Sequence, residues 1–277
     1  AYLSRALQHL DEFAAAHPEL PAAALSQRLK AAHGIDLGVL RARAELVTRG
    51  LRECEDDEGW RLVQDDPNGL RLLYRQGPQT ATTHCFKAGC VLECELHELL
   101  SMAREFDLIS SLVELLVYAS VWLPWPFAER DVLIQAVGID VLAEDGSLAI
   151  SFSSPEGGLP SDVAAPAGYA ARTHVEILPG SCMRLEPLPP KEAGGRPRTK
   201  VVVVTMLDSG QWVPEAIITF VLMVFAPFFF SAVTKVVNTS FLDPSAPLMQ
   251  RIGERPELYG EMLQRVAHFL EGHPDAP

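Results

Sequence analysis

From Ala216 to Thr234 the chain reads AIITFVLMVFAPFFFSAVT, nineteen residues without a charge. A helix that is apolar all round is either buried on several sides or in contact with lipid. The run approaches the ~20 residues that a bilayer-spanning helix needs. Three features favour a covered or lid-like helix instead. Pro227 interrupts the run, Glu215 and Lys235 bound it tightly, and neither flank carries a basic cluster. Such a helix needs a broad apolar partner, which the rest of the chain must supply.

The partner is expected to be a sheet. Trp60–Gln64 and Leu70–Tyr74 flank Asp66-Pro67-Asn68-Gly69, a turn sequence that predicts a hairpin. Further strands are expected over His84–Cys94, Leu115–Leu123, Arg130–Val141, Leu148–Ser153, Thr173–Leu188 with a break at Pro179-Gly180, and Lys200–Leu207. Glu144-Asp145-Gly146-Ser147 predicts a second hairpin turn, and Pro155–Gly168 a loop rich in Gly, Pro and Ala. Glu95–Ile109 reads as a helix, Pro214–Val237 as the long apolar one, and Pro256–Glu271 as a last one after the linker Asp243-Pro244-Ser245-Ala246-Pro247. Residues 1–50 are rich in helix formers and predict three short helices, at about 2–16, 21–33 and 38–52. Short turns between strands imply an antiparallel sheet, with the long helix covering it across a cavity.

Charge narrows the partners. With 23 basic and 36 acidic residues the net charge is −13, which argues against nucleic acid and against broad electrostatic binding to anionic membranes. Five cysteines without a CxxC pair do not form a disulfide framework and suit a cytoplasmic protein. Cys85, Cys90 and Cys94 lie near His84 and His97, but alternation puts Cys85 on the opposite strand face from Cys90 and Cys94. No metal and no cofactor are expected. His97-Glu98 opens like a zinc-peptidase helix, yet the fifth position is Ser101. Asp56-Asp57 and Asp65-Asp66 sit in turn-like contexts, and no nucleophile elbow or phosphate loop is present. No catalytic residue is assigned.

Two stretches point to a family. The first is Pro179–Leu188, PGSCMRLEPL. The second runs from Thr199-Lys200 through Val201–Leu207 into Asp208-Ser209-Gly210-Gln211-Trp212-Val213-Pro214-Glu215. Together they resemble the last two strands and closing-helix start of the START (steroidogenic acute regulatory protein-related lipid transfer) domain. Pro126–Asp131 is similar to that family's Arg-Asp start of a strand, and the resemblance covers roughly Leu51 to Ser240.

The resemblance implies an α+β helix-grip fold, a curved antiparallel sheet around a long C-terminal helix. It implies a lipid-binding domain over 51–240, with helical segments over 1–50 and 241–277 outside the pattern. It also implies non-enzymatic binding and transfer of one sterol, carotenoid or acyl lipid, with transient membrane contact. By position it carries the ligand-binding set to Val132, Ile134, Ala136, Met183, Val203 and Thr205 on strands. On the closing helix it carries that set to Ile218, Leu222, Phe225 and Phe229, which share a helical stripe. Some sterol-handling members hold an Arg in the tunnel; the matching position here is Ala136. So apolar a tunnel disfavours a phospholipid head group, because burying an unmatched polar group costs several kcal/mol, while Gln135 and Thr205 are candidates to satisfy one hydroxyl. The gate is expected at the closing helix and the loop Ser154–Gly168. Two alternatives remain: a cyclase- or hydrolase-like enzyme using His174 and Glu176, and a membrane-attached scaffold.

Overall fold

The structure is a computed structural model describing residues 8–9, 12, 15–16, 22–34, 36–67, 69–78, 80–104, 114–121, 129–142, 146–161, 163–192 and 194–272. Helices α1 (Ala22–His33) and α2 (Leu37–Glu55) come first, then strands β1 (Arg61–Asp65), β2 (Arg71–Gln76) and β3 (Thr83–Leu92). Helix α3 (Leu96–Arg104) leads to β4 (Glu114–Val121), β5 (Arg130–Val141) and β6 (Ser147–Ser153). After a 3-10 turn at Tyr169–Ala171 come β7 (Thr173–Ile177), β8 (Ser181–Leu188) and β9 (Arg198–Asp208). Helices α4 (Glu215–Thr239), α5 (Pro247–Glu254) and α6 (Pro256–Gly272) close the chain. Most of the expected 2–16 helix and the end of Glu95–Ile109 lie outside the described residues. Helix α5 was not expected: Pro247, read as the end of a linker, is its first residue, where a missing N–H costs nothing.

One sheet holds all nine of the described strands. The hairpin β1–β2 turns as expected, with Gly69 N–H donating to the Asp66 carbonyl at 2.8 Å and Asp66 N–H to that of Leu70 at 2.8 Å. β3 pairs β2 and β9; β8 and β6 continue the path to β5, whose far edge takes β4. β7 is a short wedge, parallel to β5 and antiparallel to β9. Opposed residues share a face, so the register sorts the sheet into two sides.

Each side has its own cover. On the back, Val141, Ala149, Cys182 and Val204 are buried beneath Val47 and Cys54 of α2. On the front, Leu92, Leu148 and Leu185 are buried with Leu96 and Leu99 of α3, with Val237 near the end of α4, and with Phe241. The turn before β6 ends at Gly146, where φ is 72° and a Cβ would lie 2.1 Å from Cζ of Phe269 in α6. Glycine is required there twice over, by backbone conformation and by space.

Glu98 ties the front cluster together. Its side chain accepts from Glu95 N–H at 2.7 Å, capping α3, and from Arg196 Nη2 at 2.8 and 2.9 Å. Arg196 Nη1 also donates to the Val237 carbonyl at 3.3 Å, so one guanidinium joins the β8–β9 loop to α3 and α4. Both side chains are largely buried. Removing one partner of a buried pair strands the other charge. Glu98→Ala is therefore expected to cost about 3 kcal/mol in chemical denaturation. A loss below about 1 kcal/mol is what an exposed pair would show. The Glu in the His97-Glu98 pair thus has a structural role.

Candidate functional site

The front of the sheet, away from the α3 end, is apolar but not closed. Register places all six expected strand positions there. Val203 opposes both Ala88 of β3 and Met183 of β8, Met183 opposes Ile150, and Thr205 opposes Phe86. Ala136 opposes Phe152, two residues from Ile150 on β6. Val132 opposes Val175 of β7, and Ile134 lies between Val132 and Ala136 on β5. All of these side chains are half-buried, whereas the back-face positions Ala149, Cys182 and Val204 have no exposure at all. Phe86, Ile150, Phe152 and Val175 also belong to this face and were not singled out in the sequence. Their signal was parity in strands already assigned, but a face needs pairing partners before parity fixes it.

Gln135 does not belong to this face. It neighbours Ala136 on one strand, so alternation points it to the back, while Thr205 stays in front. Cys85 and Cys90 lie on opposite faces, as expected from their spacing. Burial pushes the Cys90 thiol up to about 11 and the Cys94 thiol to about 12, so both stay protonated.

Helix α4 is covered only at its C-terminal part. Phe230, Val233 and Val236 pack on the front cluster, yet of its 25 residues only Val237 is buried. Ile218 and Leu222 are half-buried, Phe225 is exposed, and Phe229 is 68 % exposed. Phe220, Met223, Val224 and Phe228 are exposed as well, and so is Trp212 just before the helix. The apolar run is thus neither enclosed nor paired along most of its middle.

Its launch is well fixed. Ser209 Oγ bonds the carbonyls of Thr82 at 3.0 Å and Gln211 at 2.7 Å. Gly210, at φ 71°, turns the chain, with its N–H on Asp208 Oδ1 at 2.8 Å. Buried Arg130 donates to the Ser209 carbonyl at 3.5 Å, and Glu215 pairs with Arg61 of β1. The Asp-Ser-Gly-Gln-Trp motif is therefore a rigid turn that sets α4 beside β1–β3.

A buried polar group sits near that turn, on the front face. His84 opposes Gln76 and Leu207 and is 1 % exposed. Tyr74 Oη donates to Gln76 Oε1 at 3.0 Å and lies 3.0 Å from His84 Nδ1. That network makes Nδ1 the donor to Tyr74 and leaves Nε2 as an acceptor, buried with no partner among the described residues. Burial holds the His84 pKa below the ordinary imidazole value. The unfolded chain therefore binds a proton near pH ~6.5 that the native state refuses. Stability from this site is present above that pH and is lost as pH falls through it. We expect the Tm of His84→Phe to decline less between neutral pH and about pH 5 than that of the wild type. Parallel declines would mean that other groups govern the acid limb.

His174 and Glu176 stand on the back face, with Asp131 and Asp208 as their opposed neighbours. Asp131, 2 % exposed, bonds Tyr118 Oη at 3.0 Å and His174 Nδ1, and Tyr169 stacks on His174 with centroids 4.3 Å apart. Arg172 joins Glu129 at 3.0 Å and Tyr118 Oη at 2.9 Å. This network anchors the end of the 154–168 loop, and Ser154 Oγ, donating to the Leu133 carbonyl at 2.8 Å, anchors its start. Neither His174 nor Glu176 faces the apolar front.

No protein-family model and no curated protein matches the chain. Solved structures do. Human StAR-related lipid transfer protein 5 superposes with a TM-score of 0.54 over 74% of this chain and 98% of its own, at 16% identity. Human STARD10 gives 0.51 over 77% and 86%, at 15% identity. The chain has the START helix-grip fold. Within that fold, part of the front face and the middle of α4 are the apolar surfaces left incompletely covered.

Proposed function

We propose that the chain binds one apolar lipid between the front of the sheet and α4 and transfers it between membranes. The observation that carries this reading is paired apolar surface left uncovered on both sides. Val132, Ile134, Ala136 and Val203 are only half-buried, and the middle of α4 is exposed, while Met183 borders the buried front cluster. A packed core would bury both. That one structural neighbour is a lipid transfer protein supports the same reading. A ligand covering roughly 400 Å² of apolar area gains roughly 10 kcal/mol before entropic costs.

The ligand is a sterol, carotenoid or acyl lipid carrying at most a small polar group. Thr205 and His84 Nε2, which has no partner among the described residues, are front-face groups that suit one hydroxyl. The gate is α4 together with the 154–168 loop, and transfer proceeds through transient membrane contact by a peripheral cytoplasmic protein. A non-enzymatic role fits the back-face placement of His174 and Glu176, which keeps them from a chain bound in front.

Native mass spectrometry of purified protein, with extraction and identification of the mass lost, tests the reading. One lipid per chain is the expected result. A clean apo mass with no uptake from a panel of sterol, carotenoid, fatty acid and phosphatidylcholine would overturn it.

A further inference from the structure

The back of the sheet holds a second chemical feature, independent of lipid binding. Helix α2 crosses β8 so closely at Gly50 that a Cβ there would lie 2.4 Å from Cβ of Cys182. One helical turn later comes Cys54, whose Sγ lies 4.0 Å from the Cys182 carbonyl and 3.9 Å from that of Val202. Both residues are thiols in the structure, and both are buried in the cluster that joins α2 to the sheet. Cys54 also lines a groove of about 470 Å³, which it shares with Lys87 and Arg184. Lys87 is fixed there by the Asp56 carbonyl at 2.8 Å and Asp57 at 2.7 Å, and Arg184 by Glu55 at 2.6 Å.

We propose that Cys54 and Cys182 form an oxidation site, at which a hydroperoxide entering the groove converts the two thiols into a disulfide joining α2 to β8. The chemistry balances. The Cys54 thiolate attacks one peroxide oxygen, the O–O bond breaks, and the leaving oxygen takes a proton and departs as water or an alcohol. The Cys182 sulfur then attacks the Cys54 sulfenic acid, whose oxygen leaves as water with the Cys182 proton. The two sulfurs are oxidised and the peroxide is reduced.

The surroundings favour Cys54 as the attacking sulfur. The Cys182 thiol bonds to it, and the Lys87 and Arg184 cations add to that effect, so its pKa is held below the ordinary thiol value although burial opposes the shift. Cys90 and Cys94, pushed up to about 11 and about 12, lack the thiolate that the first step needs.

The test uses the full reduced chain, treated with hydrogen peroxide under native conditions and quenched with an alkylating agent. Non-reducing peptide mapping is expected to recover a Cys54–Cys182 cross-linked peptide, with the other three cysteines alkylated. The Tm of the cross-linked form should rise by roughly 5–10 °C, because the bond closes a long loop. Cys54→Ser, a near-isosteric change at the helix end, should abolish both results. Cross-linking of any other pair, or oxidation of Cys54 only to sulfinic acid, overturns the proposal. So does the absence of any reaction at peroxide levels that leave the fold intact.

Discussion

Phe228→Asp with Phe229→Asp is expected to lower partitioning onto phosphatidylcholine vesicles by about a thousandfold, with little change in Tm. The two rings are 74 % and 68 % exposed, so the folded chain owes them little packing. Substitutions at such positions usually stay within about 0.5 kcal/mol. At a bilayer the accounting reverses. Each Phe that enters the apolar layer contributes roughly 2 kcal/mol, so losing two removes about 4 kcal/mol, or about a thousandfold. The new carboxylates can only deepen the loss. Vesicle co-sedimentation and fluorescent-lipid transfer give the readouts. Net charge −13, with no basic cluster flanking α4 in the sequence, predicts a hydrophobic rather than an electrostatic contact. Added salt should therefore leave it nearly unchanged. If the double variant partitions and transfers like wild type, α4 is not the membrane-facing element.

The strand plan was largely legible because its punctuation is chemical. Asp66-Pro67-Asn68-Gly69 and Gly146 separate strands whatever surrounds them, and β5 runs from Arg130 to Val141 as its residues predict. Parity was legible too, as Cys85 against Cys90 shows; pairing Gln135 with a front-face role went against the same rule. Coverage was not legible. Composition says that Ala216–Thr234 is apolar, but whether a neighbour buries it depends on where a remote turn aims the helix. That turn is held by Arg130 and Thr82, both distant in sequence. The Gly50–Cys182 approach was hidden for the same reason, since no local pattern marks where a helix touches a strand 132 positions later.

Two alanines on paired strands separate an open face from a packed one. Ala136 on β5 points to the front and is half-buried; Ala149 on β6 points to the back with no exposure, beneath α2. If the front is a ligand site, Ala136→Trp fills vacant space. Tm should then shift by no more than about 2 °C, while lipid uptake falls at least about a hundredfold, about 2.7 kcal/mol. Ala149→Trp must displace Val47 and Cys54 from a closed cluster, and overpacking of that kind costs 1–3 kcal/mol or more. That variant should lose much of its stability, and at temperatures where it remains folded it should still take up lipid. Thermal melts and a lipid-loading assay on both proteins read the contrast directly. Equal destabilisation by the two substitutions would make the front an ordinary core and remove the space that the transfer reading requires. Opposite outcomes would show that the two faces of one sheet do different work at these positions, the back closed beneath α2 and the front, away from the α3 end, left open for a molecule the chain does not encode.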